Sequence, residues 1–182
     1  MRTNLLMLVV VAAMLTSCAS AAADCSTVPA SARLQPVGYF SDMDFTEEHQ
    51  YGSALHLWTT NGCLIGLFDS ASGLAGDTPT GLLEDLVFVG STGYLKFRAR
   101  MTTGWEGPGQ PSHDIVEFTG NMKGEVIVGL LSWGDARQPN RKRLVENVVL
   151  RKVEDDVISD TETYGEWVAT VGEILRFRGP KW

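Results

Sequence analysis

The chain has 182 residues, 22 acidic against 15 basic side chains and a formal charge of −7. That length suits one domain with a sizeable core better than two, and the acidic balance argues against nucleic acid, whose phosphates need a basic face to neutralise them. Three cysteines and three histidines leave a small inventory for metal or nucleophilic chemistry.

The N-terminus reads Met1-Arg2-Thr3-Asn4, and residues 5–15 then contain no charged or strongly polar side chain. An apolar run of that length falls within the ~7–15 residues of a secretory core and short of the roughly 20 that span a bilayer. Leu15-Thr16-Ser17-Cys18 resembles the lipobox of bacterial lipoproteins. The resemblance implies that residues 1–17 are a signal peptide, that Cys18 carries acyl chains as the mature N-terminus, and that these hold the protein on a membrane. Ala19 after the cysteine implies sorting to the outer membrane, facing the periplasm. More than one chain anchors stably, because each buried CH₂ contributes about 0.8 kcal/mol. The alternative is cleavage after Ala21-Ala22-Ala23, which gives a soluble secreted protein starting at Asp24. With Cys18 lipidated, Cys25 and Cys63 remain as one candidate disulfide in an oxidising compartment, against the alternative that each is a buried thiol.

Residues 18–36, rich in Ala, Ser and Thr with Pro29 and Pro36, read as a linker. A first strand is expected over 38–45. Asp42, Asp44, Glu47 and Glu48 lack the spacing of a calcium loop, so no metal is assigned to them. Residues 53–58 and 63–68 flank Asn61-Gly62, a pair that tolerates the positive φ angles of a tight hairpin turn. Residues 69–80 read as a loop.

A second hairpin joins 81–89 to 94–101 through Gly90-Ser91-Thr92-Gly93. Leu95, Phe97, Ala99 and Met101 alternate with Tyr94, Lys96, Arg98 and Arg100, so one face is buried and one is wet. The first arm is apolar on both faces from Leu86 to Val89, which predicts deeper burial than the second. Residues 102–112, rich in Gly and Pro, form an irregular loop carrying Trp105. Residues 113–119 alternate again, a Gly120 to Gly124 turn leads into 125–133, and a last strand covers 144–153. Connections this short impose antiparallel neighbours. The expected fold is mainly β, an antiparallel up-and-down barrel of about eight strands over residues 37–153.

The tail changes period. Thr163 and Glu166 fit a capping box, and Tyr164, Trp167, Val171, Ile174 and Leu175 follow helical spacing. A C-terminal amphipathic helix over 160–178 is expected to pack on the sheet or cap one barrel end, burying Trp167. Arg176 and Arg178 suit its negative end, and Gly179-Pro180 stops it.

Eight strands closed up and down, with a helix after the last, resemble the lipocalin and avidin superfamily of ligand-binding barrels. Lipocalins carry G-x-W on the first strand, whereas this one reads Val37-Gly38-Tyr39-Phe40, so no ligand residue transfers. A barrel of this size holds a packed interior or one small ligand. Trp58, Trp105 and Trp133, from strand ends or loops, are the candidate ligand contacts; Phe68, Phe88, Phe97 and Phe118 are candidate core. The basic cluster of Arg137 with Arg141-Lys142-Arg143 reads as a solvated loop, the alternative being contact with lipid phosphates.

Catalysis has little support. His113 and Asp114 point to opposite strand faces, and no G-x-S-x-G, H-E-x-x-H, P-loop or C-x-x-C motif is present. A hydrolase built on His113, Asp135 and a serine is the remaining catalytic reading, and no cofactor is implied. As a whole the chain resembles bacterial envelope lipoproteins in which a lipobox precedes a small β-rich domain. The expectation is a non-catalytic, membrane-anchored lipoprotein binding a small apolar ligand, glycan or peptide. The alternative is a structural or assembly protein that docks another envelope component.

Overall fold

A computed structural model describes residues 25–74, 78–101, 113–154 and 163–178. In chain order these form a 3-10 turn (Cys25–Thr27), β1 (Gln35–Ser41), β2 (Asp44–Phe45), β3 (His49–Thr60), β4 (Cys63–Leu74), β5 (Thr80–Val89), β6 (Tyr94–Met101), β7 (Asp114–Lys123), β8 (Val126–Asp135), β9 (Leu144–Val153) and α1 (Tyr164–Arg178). Each barrel strand pairs antiparallel with its sequence neighbours, and β1 pairs with both β9 and β3. Eight strands therefore close into an up-and-down barrel of lipocalin-like architecture, with β2 a short addition on β3. Closure leaves no long sheet edge to pair with another chain.

The hairpin turns form where the residues allow positive φ. Asn61 and Gly62 adopt φ of 47° and 80° and pair Thr60 with Cys63. After Gly90 the chain reverses with the Thr92 and Gly93 amides donating to the Val89 carbonyl. The third reversal is tighter than expected: β7 continues through Gly120 to Lys123, and Gly124, at φ 58°, makes the turn.

Period-two patterning fills the barrel. Phe40, Leu55, Phe68, Phe97, Phe118 and Leu131 point inward and are at most 1% exposed. Full burial of a side chain of this kind contributes about 1.5–3 kcal/mol. Gly120 and Gly129 face each other across β7 and β8, and the Phe118 ring lies over both. A Cβ on Gly120 or Gly129 would sit 2.6 or 2.5 Å from a ring carbon of Phe118, and 2.3 or 2.6 Å from a carbonyl oxygen of the facing strand.

Helix α1 packs on the outside of the sheet. Its capping box is formed, with the Thr163 amide donating to Glu166 Oε2 at 3.0 Å and the Glu166 amide to Thr163 Oγ1 at 3.3 Å. Trp167 and Val171 are buried with Leu34, Trp58 and Ile65 in a second core between helix and barrel wall.

Four expectations need correction. The first strand is split, because Asp42 turns its Oδ1 to the Ser53 amide at 2.7 Å and the chain bends before β2. Part of the expected linker is docked: Leu34 is buried, and the Ala30 and Ala32 carbonyls accept the Gly165 and Tyr164 amides. The expected loop over 69–80 is largely strand, since β4 runs on to Leu74. The first arm of the central hairpin is the wetter one, with Val87 and Phe88 36% and 38% exposed. A bulge between Glu84 and Val87, with Asp85 at φ 50°, redirects that arm, and α1 covers Leu82 but not Val87.

Candidate functional site

The structure separates the candidate tryptophans. Trp58 pairs with Ile65 on the outer face of the β3–β4 hairpin, where α1 buries it edge-on against Trp167 with centroids 5.9 Å apart. Trp133 points inward from β8, its ring 6.1 Å from that of Phe68, and its Nε1 donates to Glu146 Oε1 at 2.7 Å. One tryptophan is thus in the wall-to-helix core and the other against the barrel core. Trp105 and Cys18 lie outside the described residues.

The candidate disulfide is formed. Cys25 and Cys63 are bonded with their Cα atoms 5.6 Å apart, joining the N-terminal segment to the strand that leaves the Asn61-Gly62 turn. That bond fastens the start of the described chain to the end of the barrel where the tight turns lie.

Asp135 is bonded within its own loop. Its carboxylate accepts the Arg137 amide at 2.8 Å, Arg137 Nε at 3.1 Å and Gln138 Nε2 at 3.2 Å. The Arg137 guanidinium and amide hold the Asp135 carboxyl below the usual carboxylate range, and Asp135 in turn raises Arg137. His113 meets this loop through its backbone carbonyl, which accepts the Ala136 amide at 2.9 Å.

A different His–Asp pair is present on the outer wall. His56 Nε2 lies 2.7 Å from Asp69 Oδ2, both side chains mostly buried, with the Tyr39 ring 4.4 Å from the imidazole. The sequence does contain this pair: a two-residue turn at Asn61-Gly62 sets His56 opposite Leu67 and Ala54 opposite Asp69, so 56 and 69 are diagonal neighbours on one face. Among the described residues no three His, Cys, Asp or Glu side chains converge as a metal site.

The outer surfaces of the strands differ in chemistry. On β5, β6 and β7 they carry an ionic ladder in which Arg98 donates to Glu84 at 2.7 Å, Arg100 lies 3.4 Å from Glu84, and Arg143 pairs with Glu117. The hydrogen bond that Arg98 donates to Glu84 raises the Arg98 pKa. On β8 and β9 the outward positions are apolar instead: Val128 faces Val149, and both stand exposed with Leu130 and Val145. Ser132 and Asn147 share this face, and no charge lies between Val128 and Ser132 or between Val145 and Val149 on it. In the sequence these strands are apolar at adjacent positions, a pattern that otherwise signals burial on both faces.

Comparisons with protein-family models, with curated proteins and with solved structures return no match.

Proposed function

We propose that this chain is a non-catalytic envelope lipoprotein that works through the outside of its barrel, docking a second membrane-held protein on the β8–β9 face. One observation carries the reading: the apolar side chains on the axis are packed against one another, while Val128, Leu130, Val145 and Val149 are turned to solvent on a charge-free face. Exposed contiguous apolar faces mark interaction surfaces. A small apolar ligand, glycan or peptide would on this reading meet the surface rather than the axis.

Membrane attachment follows from the lipobox resemblance at Cys18. A stable complex between freely diffusing proteins buries ~800 Å² per partner. Two proteins confined to one membrane surface need less, because confinement raises their effective concentration. About six residues separate Cys18 from Cys25, a reach of at most ~25 Å. The disulfide then holds the barrel close to the membrane.

The test is a charge placed in the face. Val149→Asp is expected to keep the melting temperature and membrane fractionation of the parent but lose the partner recovered with it from detergent-solubilised envelope. A Lys96→Asp control on the charged wall is expected to retain it. Equal recovery by both variants would overturn the assignment.

A further inference from the structure

A cleft of about 230 Å³ lies between the loop after β8 and the outer wall of β7 and β8, lined by Ile115, Gly134, Ala136, Pro139, Gln138, Asp135, Arg141 and Arg143. Its formation follows from the local sequence. Gly134 has no side chain, and Arg143 lies across it, with Nε 2.7 Å from where a Cβ would be, to reach Glu117. The loop is braced by Gln138 and Arg141, whose amides donate to the Asp135 and Gln138 carbonyls, each at 3.0 Å.

The arginines around this cleft differ in their partners. Arg137 is neutralised by Asp135 and Arg143 by Glu117, whereas Arg141 forms no ion pair among the described residues. One guanidinium is left over at a cleft whose walls also include the aliphatic Ile115, Ala136 and Pro139. Its planar fork matches a carboxylate bidentately. A phosphate dianion would bring its second charge beside the Asp135 and Asp114 carboxylates, which are register partners across β7 and β8. The volume is below the ~300–1,000 Å³ of a complete ligand pocket, so the site suits one end of a larger molecule.

We propose that this cleft binds a carboxylate carried on a compact aliphatic group of about one amino acid's size, with Arg141 as the anion partner and Ile115, Ala136 and Pro139 against the aliphatic part. The site is independent of membrane anchoring and of the β8–β9 face. The experiment titrates the protein purified from envelope with N-acetylvaline, following amide NMR shifts, with N-acetylvalinamide and inorganic phosphate as parallel probes. Saturable shifts at Ile115, Gly134 and Ala136 are expected, with both parallel probes weaker by at least about tenfold. Arg141→Gln is expected to weaken N-acetylvaline by the same factor with an unchanged melting temperature, since the side chain is exposed and unpaired. Phosphate binding as tightly as N-acetylvaline would overturn the carboxylate assignment. Absence of saturable binding, or undiminished binding by Arg141→Gln, would overturn the site.

Discussion

Trp133 on β8 meets Phe68 on β4, the strand diametrically opposite in the barrel, with ring centroids 6.1 Å apart. Two walls of an eight-stranded barrel touch across the axis only when the space between them is filled. Phe97 completes the contact, 5.8 Å from Phe68 and 5.1 Å from Phe118. A double-mutant cycle on Trp133→Leu and Phe68→Leu, read by urea denaturation, is expected to give a coupling of about 0.5–1.5 kcal/mol. Additive effects would mean that the rings do not meet.

The glycine pair beneath Phe118 makes a second prediction. Gly129→Ala is expected to destabilise by about 1–3 kcal/mol, because the new methyl collides with the ring. In a Phe118→Leu background the same substitution should be tolerated better. An equal penalty in both backgrounds would place the strain in the backbone rather than in the ring.

The disulfide closes a separation of 38 residues. Cys63→Ser is therefore expected to lower stability by about 2–4 kcal/mol. Reductant should reproduce that loss in the parent and leave the variant unaffected. A parent insensitive to reductant throughout unfolding would contradict the bond.

Asp135 supplies a pH prediction. Its folded-state pKa lies below the ordinary value of 3.8 because Arg137 bonds the carboxylate. A depressed value means stabilisation that is present above the unfolded pKa and is lost as pH falls through the folded one. Arg137→Ala should raise the carboxyl pKa toward 3.8, measured by carboxyl-carbon NMR, and make stability less sensitive to pH in the acid range below about 4. A parent value at or above 3.8 would contradict the contact.

Helix α1 offers a separable measurement. Trp167 is buried, and its Nε1 has no hydrogen-bond partner among the described residues. Trp167→Ala is expected to cost about 3–5 kcal/mol. Trp167→Phe should cost less, since it keeps an aromatic body and removes an unsatisfied donor worth about 1–3 kcal/mol. Hydrogen exchange should show the helix amides deprotected in the alanine variant before those of β6.

Much of this architecture was legible in the residues because it is local. Asn61-Gly62 specifies a turn by φ, Leu95 to Met101 specify a face by alternation, and Thr163 with Glu166 specifies a helix start by two reciprocal hydrogen bonds. What was not legible depends on which outer surface receives the helix. Trp58 and Val128 both sit on outward strand positions, yet α1 buries the first and leaves the second exposed. Apolar runs in β5 and β8 look alike for the same reason. The His56–Asp69 pair was available from the register of one hairpin, and the packing of Phe118 over Gly120 and Gly129 was hidden because Gly120 reads as the start of a turn.

A barrel packed across its axis and acting through its β8–β9 face is tested most directly by site-specific photocrosslinking in intact cells. A photoreactive side chain at Val149, with one at Lys96 on the charged wall for comparison, reports what lies against each surface. One discrete adduct with a membrane-held protein is expected from position 149, lost when Val128→Asp is added, and none from position 96. Monomer alone from position 149, or the same adducts from both walls, would contradict docking through this face.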